Sequence, residues 1–266
     1  MQAPDRSEGS SSVGADSRLA SAPRQFVRPQ GVVGTLTGWA LRLFNAGLNR
    51  RAVEALPLTP QMRVLEIGFG PGHALSLLAR RLPRGTVSGV DPSEVMMRQA
   101  RRRNARAIQA GRMDLREGTA DHLPWPEGSF HAVLSLNNVL FWRPLEGSLL
   151  EIRRVLLPEG TCLIGLHGAA AQVFTRPGSH ASPKWSLLRL LLLRAEVFTH
   201  AGSRAFPKVD RYLLPAFDRA GLPVQRRWEV RTATGRGVLY LLQKPTEAPS
   251  LGRALDRAGD RATPRP

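Results

Sequence analysis

Val64-Leu65-Glu66-Ile67-Gly68-Phe69-Gly70-Pro71-Gly72 decides how this chain is read. Arg63 to Ile67 reads as a buried strand, apolar at Val64, Leu65 and Ile67. From His73 to Arg81, Leu75, Leu77 and Leu78 fall at helical spacing. A strand, a glycine-rich turn and a helix in succession let the backbone bend sharply and bring bare amides toward a ligand. Glycines also mark ordinary strand–helix turns, so a second signal is needed. Thr86 to Val90 supplies it: this second strand ends on Asp91, 19 residues beyond Gly72. An acid at that place accepts both hydroxyls of an adenine nucleoside's ribose.

The spacing selects among nucleosides. A dinucleotide fingerprint requires Gly or Ala at position 73, which here is His73. The pattern is G-x-G-x-G, preceded by Glu66. A carboxylate there disfavours a phosphate and suits a cationic amino-acid group.

Outward from this segment, strands and helices alternate. Residues 36–56 form an amphipathic helical stretch. Ser93 caps a helix running to about Asn104, with Glu94 in its first turn. Ala107 to Gln109 reads as a short third strand and Ala132 to Leu136 as the fourth. Leu145 to Val155 is a helix closed by Pro158-Glu159-Gly160, and Thr161 to Leu166 is the fifth strand. Asp210 to Ala220 is a helix stopped by Gly221. Val224 to Val230 and Gly237 to Gln243 close the chain as a hairpin turning near Thr234-Gly235. The alternation predicts an α/β, doubly wound, mostly parallel sheet with helices on both faces and a C-terminal antiparallel hairpin. Ligands of such sheets bind beyond the carboxyl ends of the strands.

The glycine loop from Glu66 to Gly72, with Gly89-Val90-Asp91-Pro92-Ser93 and Met96 or Met97 after it, resembles motif I and the ribose-binding strand end of the class I S-adenosylmethionine (SAM)-dependent methyltransferases. Gly118-Thr119-Ala120-Asp121-His122-Leu123-Pro124-Trp125 is similar to the family's adenine-contacting G-D-A-E-x-L-P-F. Gly128-Ser129-Phe130-His131-Ala132-Val133 resembles S-F-D-x-V, and Glu151 to Gly160 resembles E-x-x-R-V-L-K-P-G-G. The nearest branch is the methyltransferase-type-11 group, which includes ubiquinone/menaquinone-biosynthesis methyltransferases. The resemblance implies a Rossmann-like seven-stranded fold with SAM as cofactor. It implies a cofactor site of Glu66, Gly68, Gly70, Gly72, Asp91, Pro92, Met96, Thr119, Ala120, Asp121 and Asn137. The chain departs from the pattern at Thr119, whose hydroxyl or Asp121 takes the adenine contact, and at His131, read as a strand-edge residue.

Methyl transfer from a sulfonium is an in-line displacement that needs alignment and exclusion of water more than acid–base help. No catalytic residue is assigned. Asn137 and Asn138 follow the fourth strand, where they either orient cofactor and acceptor or cap the strand end. Phe141 and Trp142 wall the site or fill the core. His167 ends the fifth strand; a backbone-bonded role weighs more there than that of a base. Phe26, Arg28 and Trp39 are lid candidates within an N-terminal helical segment, residues 25–60. Residues 168–206 form a cap insert with Trp185 and Leu190 to Leu193. It ranks first as cover for a lipophilic acceptor pocket, then as a dimer interface, then as a membrane-surface helix.

Composition frames these expectations. Of 38 basic residues only Lys184, Lys208 and Lys244 are lysines, against 21 acids, for a net charge of +17. So one-sided an arginine excess reads as coding bias rather than selected phosphate binding. The cluster Arg98, Arg101, Arg102, Arg103 and Arg106 reads as a solvated helix face. The lone Cys162 excludes an internal disulfide, and the six histidines show no metal-ligand spacing. Residues 1–24 and 246–266 read as disordered tails around a methyltransferase domain at 25–245. No apolar segment suggests a secretory signal or a membrane span, so a cytoplasmic monomer or homodimer is expected. The leading function is methyl transfer to a small, apolar or aromatic acceptor without specific nucleic-acid binding. The alternatives are an RNA methyltransferase and a SAM-binding protein without turnover.

Overall fold

The computed structural model describes residues 45–175 and 205–246. Its first element, α1, covers 45–55, the described part of the expected 36–56 helix. Then come β1 (Arg63–Ile67), α2 (His73–Arg81), β2 (Thr86–Asp91), α3 (Glu94–Arg103), α4 (Ala105–Gln109), β3 (Met113–Glu117) and β4 (Phe130–Leu136). After a 3-10 turn at Val139–Phe141 follow α5 (Leu145–Val155), β5 (Leu156–His167), α6 (Gly168–Thr175), α7 (Phe206–Arg219), β6 (Val224–Thr232) and β7 (Gly235–Gln243).

The strands form one seven-stranded sheet in the order β3-β2-β1-β4-β5-β7-β6. The first five are parallel; β7 lies antiparallel to both β5 and β6. Strand order reverses between β1 and β4, so the loop after β1 stands at the crevice where such sheets take ligands.

Alternation along the strands divides the core in two. Leu65, Ile67 and Val133 face one layer with α5, α6 and α7. Val64, Ala132 and Leu134 face the other, with α1, α2, α3 and α4. Tyr240 is fully buried on the first side, and its hydroxyl donates to Asp210 Oδ1 at 2.6 Å, fastening α7 to the hairpin.

The expected third strand is wrong. Ala107 to Gln109 belongs to α4, and β3 is Met113–Glu117. This is the sheet's edge strand, buried only at Met113 and Leu115 and charged between them, so its apolar signal is thin. α7 starts at Phe206 rather than Asp210, with Pro207 in its first turn, where proline is tolerated. β5 starts at Leu156, passing through Glu159 at φ 62° before the stretch expected from Thr161. The cap insert opens as helix α6; its residues 176–204, including Trp185 and Leu190 to Leu193, lie outside the described residues. Phe26, Arg28, Trp39 and both expected tails, apart from Thr246, also lie outside them.

Candidate active site

Three glycines of the loop after β1 adopt left-handed backbone, at φ 68° (Gly68), 52° (Gly70) and 74° (Gly72). Each serves a different neighbour. A β-carbon on Gly68 would collide with the Asn138 side chain, and one on Gly72 would strike Ala100 and Asn104 of the next helix pair. At Gly70 a β-carbon would meet nothing within 4 Å. Of the three, only Gly70 faces open space at its α-carbon.

The loop is held from several sides. Gly68 N–H donates to Val90 O at 2.7 Å. Asn138 Nδ2 donates to the carbonyls of Leu136, Ile67 and Gly68, at 2.7, 3.0 and 3.0 Å. The buried Asn104 donates to Gly72 O at 3.1 Å and accepts from Ser76 Oγ at 2.7 Å; Arg103 Nε donates to Pro71 O at 3.0 Å. The sequence reading missed Asn104 and Ser76. A polar residue ending an arginine-rich helix carries no signal of a partner 32 positions earlier.

Asp91 ends β2 with its carboxylate turned to the loop. Its Oδ2 accepts from Gly70 N–H at 2.8 Å and its Oδ1 from Ser93 N–H at 2.9 Å. Burial pushes its pKa up to about 6, against the pull of the Ser93 and Gly70 amides. Glu66 lies buried behind the loop. Burial, then the neighbouring Asp91, hold its carboxyl well above the usual carboxylate range, and its Oε2 has no hydrogen-bond partner. Two buried carboxyls with acceptor capacity to spare, beside the open position at Gly70, suit a ligand that brings positive charge and hydroxyl donors. SAM has both.

Pro92 is half-buried, and Met96 is buried in the first turn of α3, with its N–H directed to Ser93 Oγ at 3.4 Å. Gly118 N–H reaches Asp91 O at 3.4 Å, which sets the Thr119–Asp121 segment beside the same strand end. Ala120 is buried there, while Thr119 and Asp121 are exposed. The following loop is fixed by α5. Arg154 donates to Leu123 O at 2.9 Å and Trp125 O at 2.8 Å, and Glu151 accepts from Leu123 N–H at 2.9 Å. The Arg154 hydrogen bond leads in holding the Glu151 carboxyl below its ordinary range. The Glu151 and Arg154 of the quoted motif therefore anchor the loop at Leu123 to Trp125.

On the other side of the strand ends, Asn137 sits at φ 61°. Its Oδ1 accepts from His167 N–H at 2.6 Å and its Nδ2 donates to Asn45 Oδ1 at 3.0 Å, tying β4, β5 and α1 together. The buried His167 ring contacts Thr234 Oγ1 through Nε2 at 3.2 Å and accepts from Ala169 N–H at Nδ1, 3.3 Å. Burial lowers its pKa to about 4, so it is a neutral imidazole engaged at both nitrogens. Trp142 is buried in the α5–α7 core. His131 Nδ1 accepts from Arg63 N–H at 3.1 Å, joining β4 to the start of β1. Among the described residues no group of three or more His, Cys, Asp or Glu is placed to hold a metal, and no helix is long and apolar enough to cross a membrane.

The methyltransferase domain family matches residues 64–160, the span from β1 through the first part of β5. The sheet order and the matched span are those of the SAM-dependent methyltransferase fold. The chain is 29% identical over 129 residues to the uncharacterized methyltransferase YdaC of Bacillus subtilis, covering 48% of this chain and 69% of that protein. It is 30% identical over 125 residues to the fatty-acid O-methyltransferase of Mycolicibacterium smegmatis, covering 47% of this chain and 42% of that protein. The chain thus spans about two thirds of the first relative and less than half of the second. Its fold matches the crystal structure of a SAM-dependent methyltransferase from Aquifex aeolicus with a TM-score of 0.57 at 16% identity, over 79% of this chain and 97% of that one.

Proposed function

We propose that this methyltransferase transfers the SAM methyl group to a small, apolar or aromatic acceptor. The observation that carries the reading is the Asp91 carboxylate bound to the Gly70 N–H beside open space at the Gly70 α-carbon, with an unpartnered Glu66 oxygen near Asp91. In this reading Asp91 accepts the ribose hydroxyls, and the Glu66 carboxyl gives up its proton as the positively charged methionine end binds and then offsets that charge. Pro92 and Met96 line the ribose side, and Thr119, Ala120 and Asp121 flank the adenine. Asn137 and Asn138 shape the mouth through the backbone they hold.

Bound SAM supplies a methyl group already activated by its sulfonium. The protein's part is to align acceptor, methyl carbon and sulfur and to exclude water. His167 has both ring nitrogens engaged and serves the scaffold rather than as a base. An acceptor that is already an anion at neutral pH needs no base at all. The fatty-acid relative supports a lipophilic carboxylate as the first acceptor class to assay. Phe26, Arg28 and the 168–206 segment are proposed as the acceptor cover.

The test has two stages. Saturating SAM or its demethylated product should raise the melting temperature, by about 3 kcal/mol of linkage at a hundredfold excess over Kd. Methyl-labelled SAM incubated with cell extract should then place label in the lipid or small-molecule fraction. Label in RNA, or ligand binding without any transfer, would select one of the alternatives.

A further inference from the structure

Charge is divided unevenly between the two helical layers. In their described residues α1 to α4 carry nine arginines and two acids, Glu54 and Glu94. The opposite layer, α5 to α7, carries five basic and four acidic side chains. A coding bias toward arginine enriches both layers alike; it does not clear acids from one of them.

Both layers pair two of their arginines, Arg51 with Glu54 and Arg98 with Glu94 on the first, Arg154 with Glu151 and Arg219 with Glu146 on the second. Among the described residues, the exposed basic side chains without a hydrogen bond or ion pair are Lys208 and Arg211 on the second layer. On the α1–α4 layer, Arg50, Arg80, Arg101, Arg102 and Arg106 are exposed and make no hydrogen bond or ion pair among the described residues. Arg50 and Arg80 line a groove between α1 and α2, together with Val53, Glu54, Leu77 and Arg81. Unpaired like charges on a folded surface repel one another, and they are relieved only by counter-ions or an anionic partner.

Two features choose the partner. The guanidinium fork matches phosphate oxygens in a bidentate way. Adsorption to a bilayer also needs apolar side chains to enter it. Among the described residues the exposed large hydrophobic is Leu150, on α5 in the opposite layer. We infer that the α1–α4 layer binds the phosphodiester backbone of nucleic acid without reading its sequence. The contact is electrostatic, spans several helices, and is separate from methyl transfer, which acts on another molecule.

The test uses the full chain without SAM, so its outcome is independent of the acceptor reading. Fluorescence anisotropy measures binding of a labelled single-stranded RNA and a labelled DNA duplex, each of mixed sequence, from about 50 to 200 mM salt. Three variant pairs of equal charge change are compared: R101Q/R102Q on α3, R50Q/R80Q across the α1–α2 groove, and K208Q/R211Q on α7. The first two should each weaken binding about tenfold and flatten the salt slope by about 2, while the third changes affinity less than twofold. R101K/R102K, which keeps the charge, should retain binding and guards against a folding effect. Equal losses in all three pairs would show that net charge rather than this layer binds. Capture by phosphatidylglycerol vesicles with no oligonucleotide binding would move the partner to a membrane. Either result overturns the inference, as does absence of binding to both oligonucleotides at low salt.

Discussion

The Asn138 side-chain amide occupies the space that a β-carbon on Gly68 would need, and donates to the Gly68 carbonyl at 3.0 Å. The first glycine of the loop is thus reserved for the protein's own asparagine, and the second is the one beside open space.

Gly68→Ala and Gly70→Val should therefore fail in different ways. Gly68→Ala combines left-handed strain with a collision and should cost about 3 kcal/mol of stability. Gly70→Val adds only the strain, about 1–2 kcal/mol, and projects its side chain into the open position. It should stay folded and lose SAM binding at least tenfold. Chemical denaturation and calorimetry on both variants decide this; intact SAM affinity in Gly70→Val would remove the ligand from that face.

Asp91→Asn separates binding from folding. The carboxylate is held against an unfavourable desolvation, so removing its charge relieves that cost and should not lower stability by more than about 1 kcal/mol at pH 7.5. SAM affinity should fall by about 2–3 kcal/mol, from the loss of charge-assisted acceptance of two hydroxyls. Titration calorimetry checks the second effect and thermal melting the first.

The same residue makes stability depend on pH in a stated direction. Its pKa rises from 3.8 to about 6 in the unliganded fold. Between those values the folded chain keeps a proton that the unfolded chain has lost. Stability from this group is therefore fully present below about pH 4 and lost as pH rises through 6, by about 3 kcal/mol in all. The difference between parent and Asp91→Asn, measured by denaturant titration from pH 4 to 7.5, isolates it from other groups. SAM binding near pH 6 should release protons. The calorimetric enthalpy should then vary with the ionisation enthalpy of the buffer, and vary less in Asp91→Asn.

Asn137 joins three elements from a left-handed backbone position. Asn137→Gly keeps that backbone freely and loses both side-chain hydrogen bonds, for about 1–2 kcal/mol. Asn137→Ala adds about 1 kcal/mol of strain. Equal destabilisation of the two would mean that the positive φ is not retained in solution. Amide exchange at His167, whose N–H loses its Asn137 acceptor, should accelerate in both.

Much of the fold lies in local pattern. The β1 run from Val64 to Ile67, the glycine spacing after it, Asp91 at the next strand end and the α5 helix from Leu145 to Val155 are each read from a few neighbouring residues. Their periodicities are imposed by the chain's own geometry, independently of what packs on them. β3 escaped because an edge strand buries only alternate residues and carries charge between them. The different duties of the three glycines were illegible for another reason. Asn138, Ala100 and Asn104 meet them only after the sheet brings positions 28 to 70 residues apart into contact. The link from Asn137 to Asn45, and the gathering of unpaired arginines on one layer, likewise depend on which helices share a face of the sheet. Short-range spacing set the strands, the loop and the class of ligand; long-range packing decided which atoms remain available to bind it.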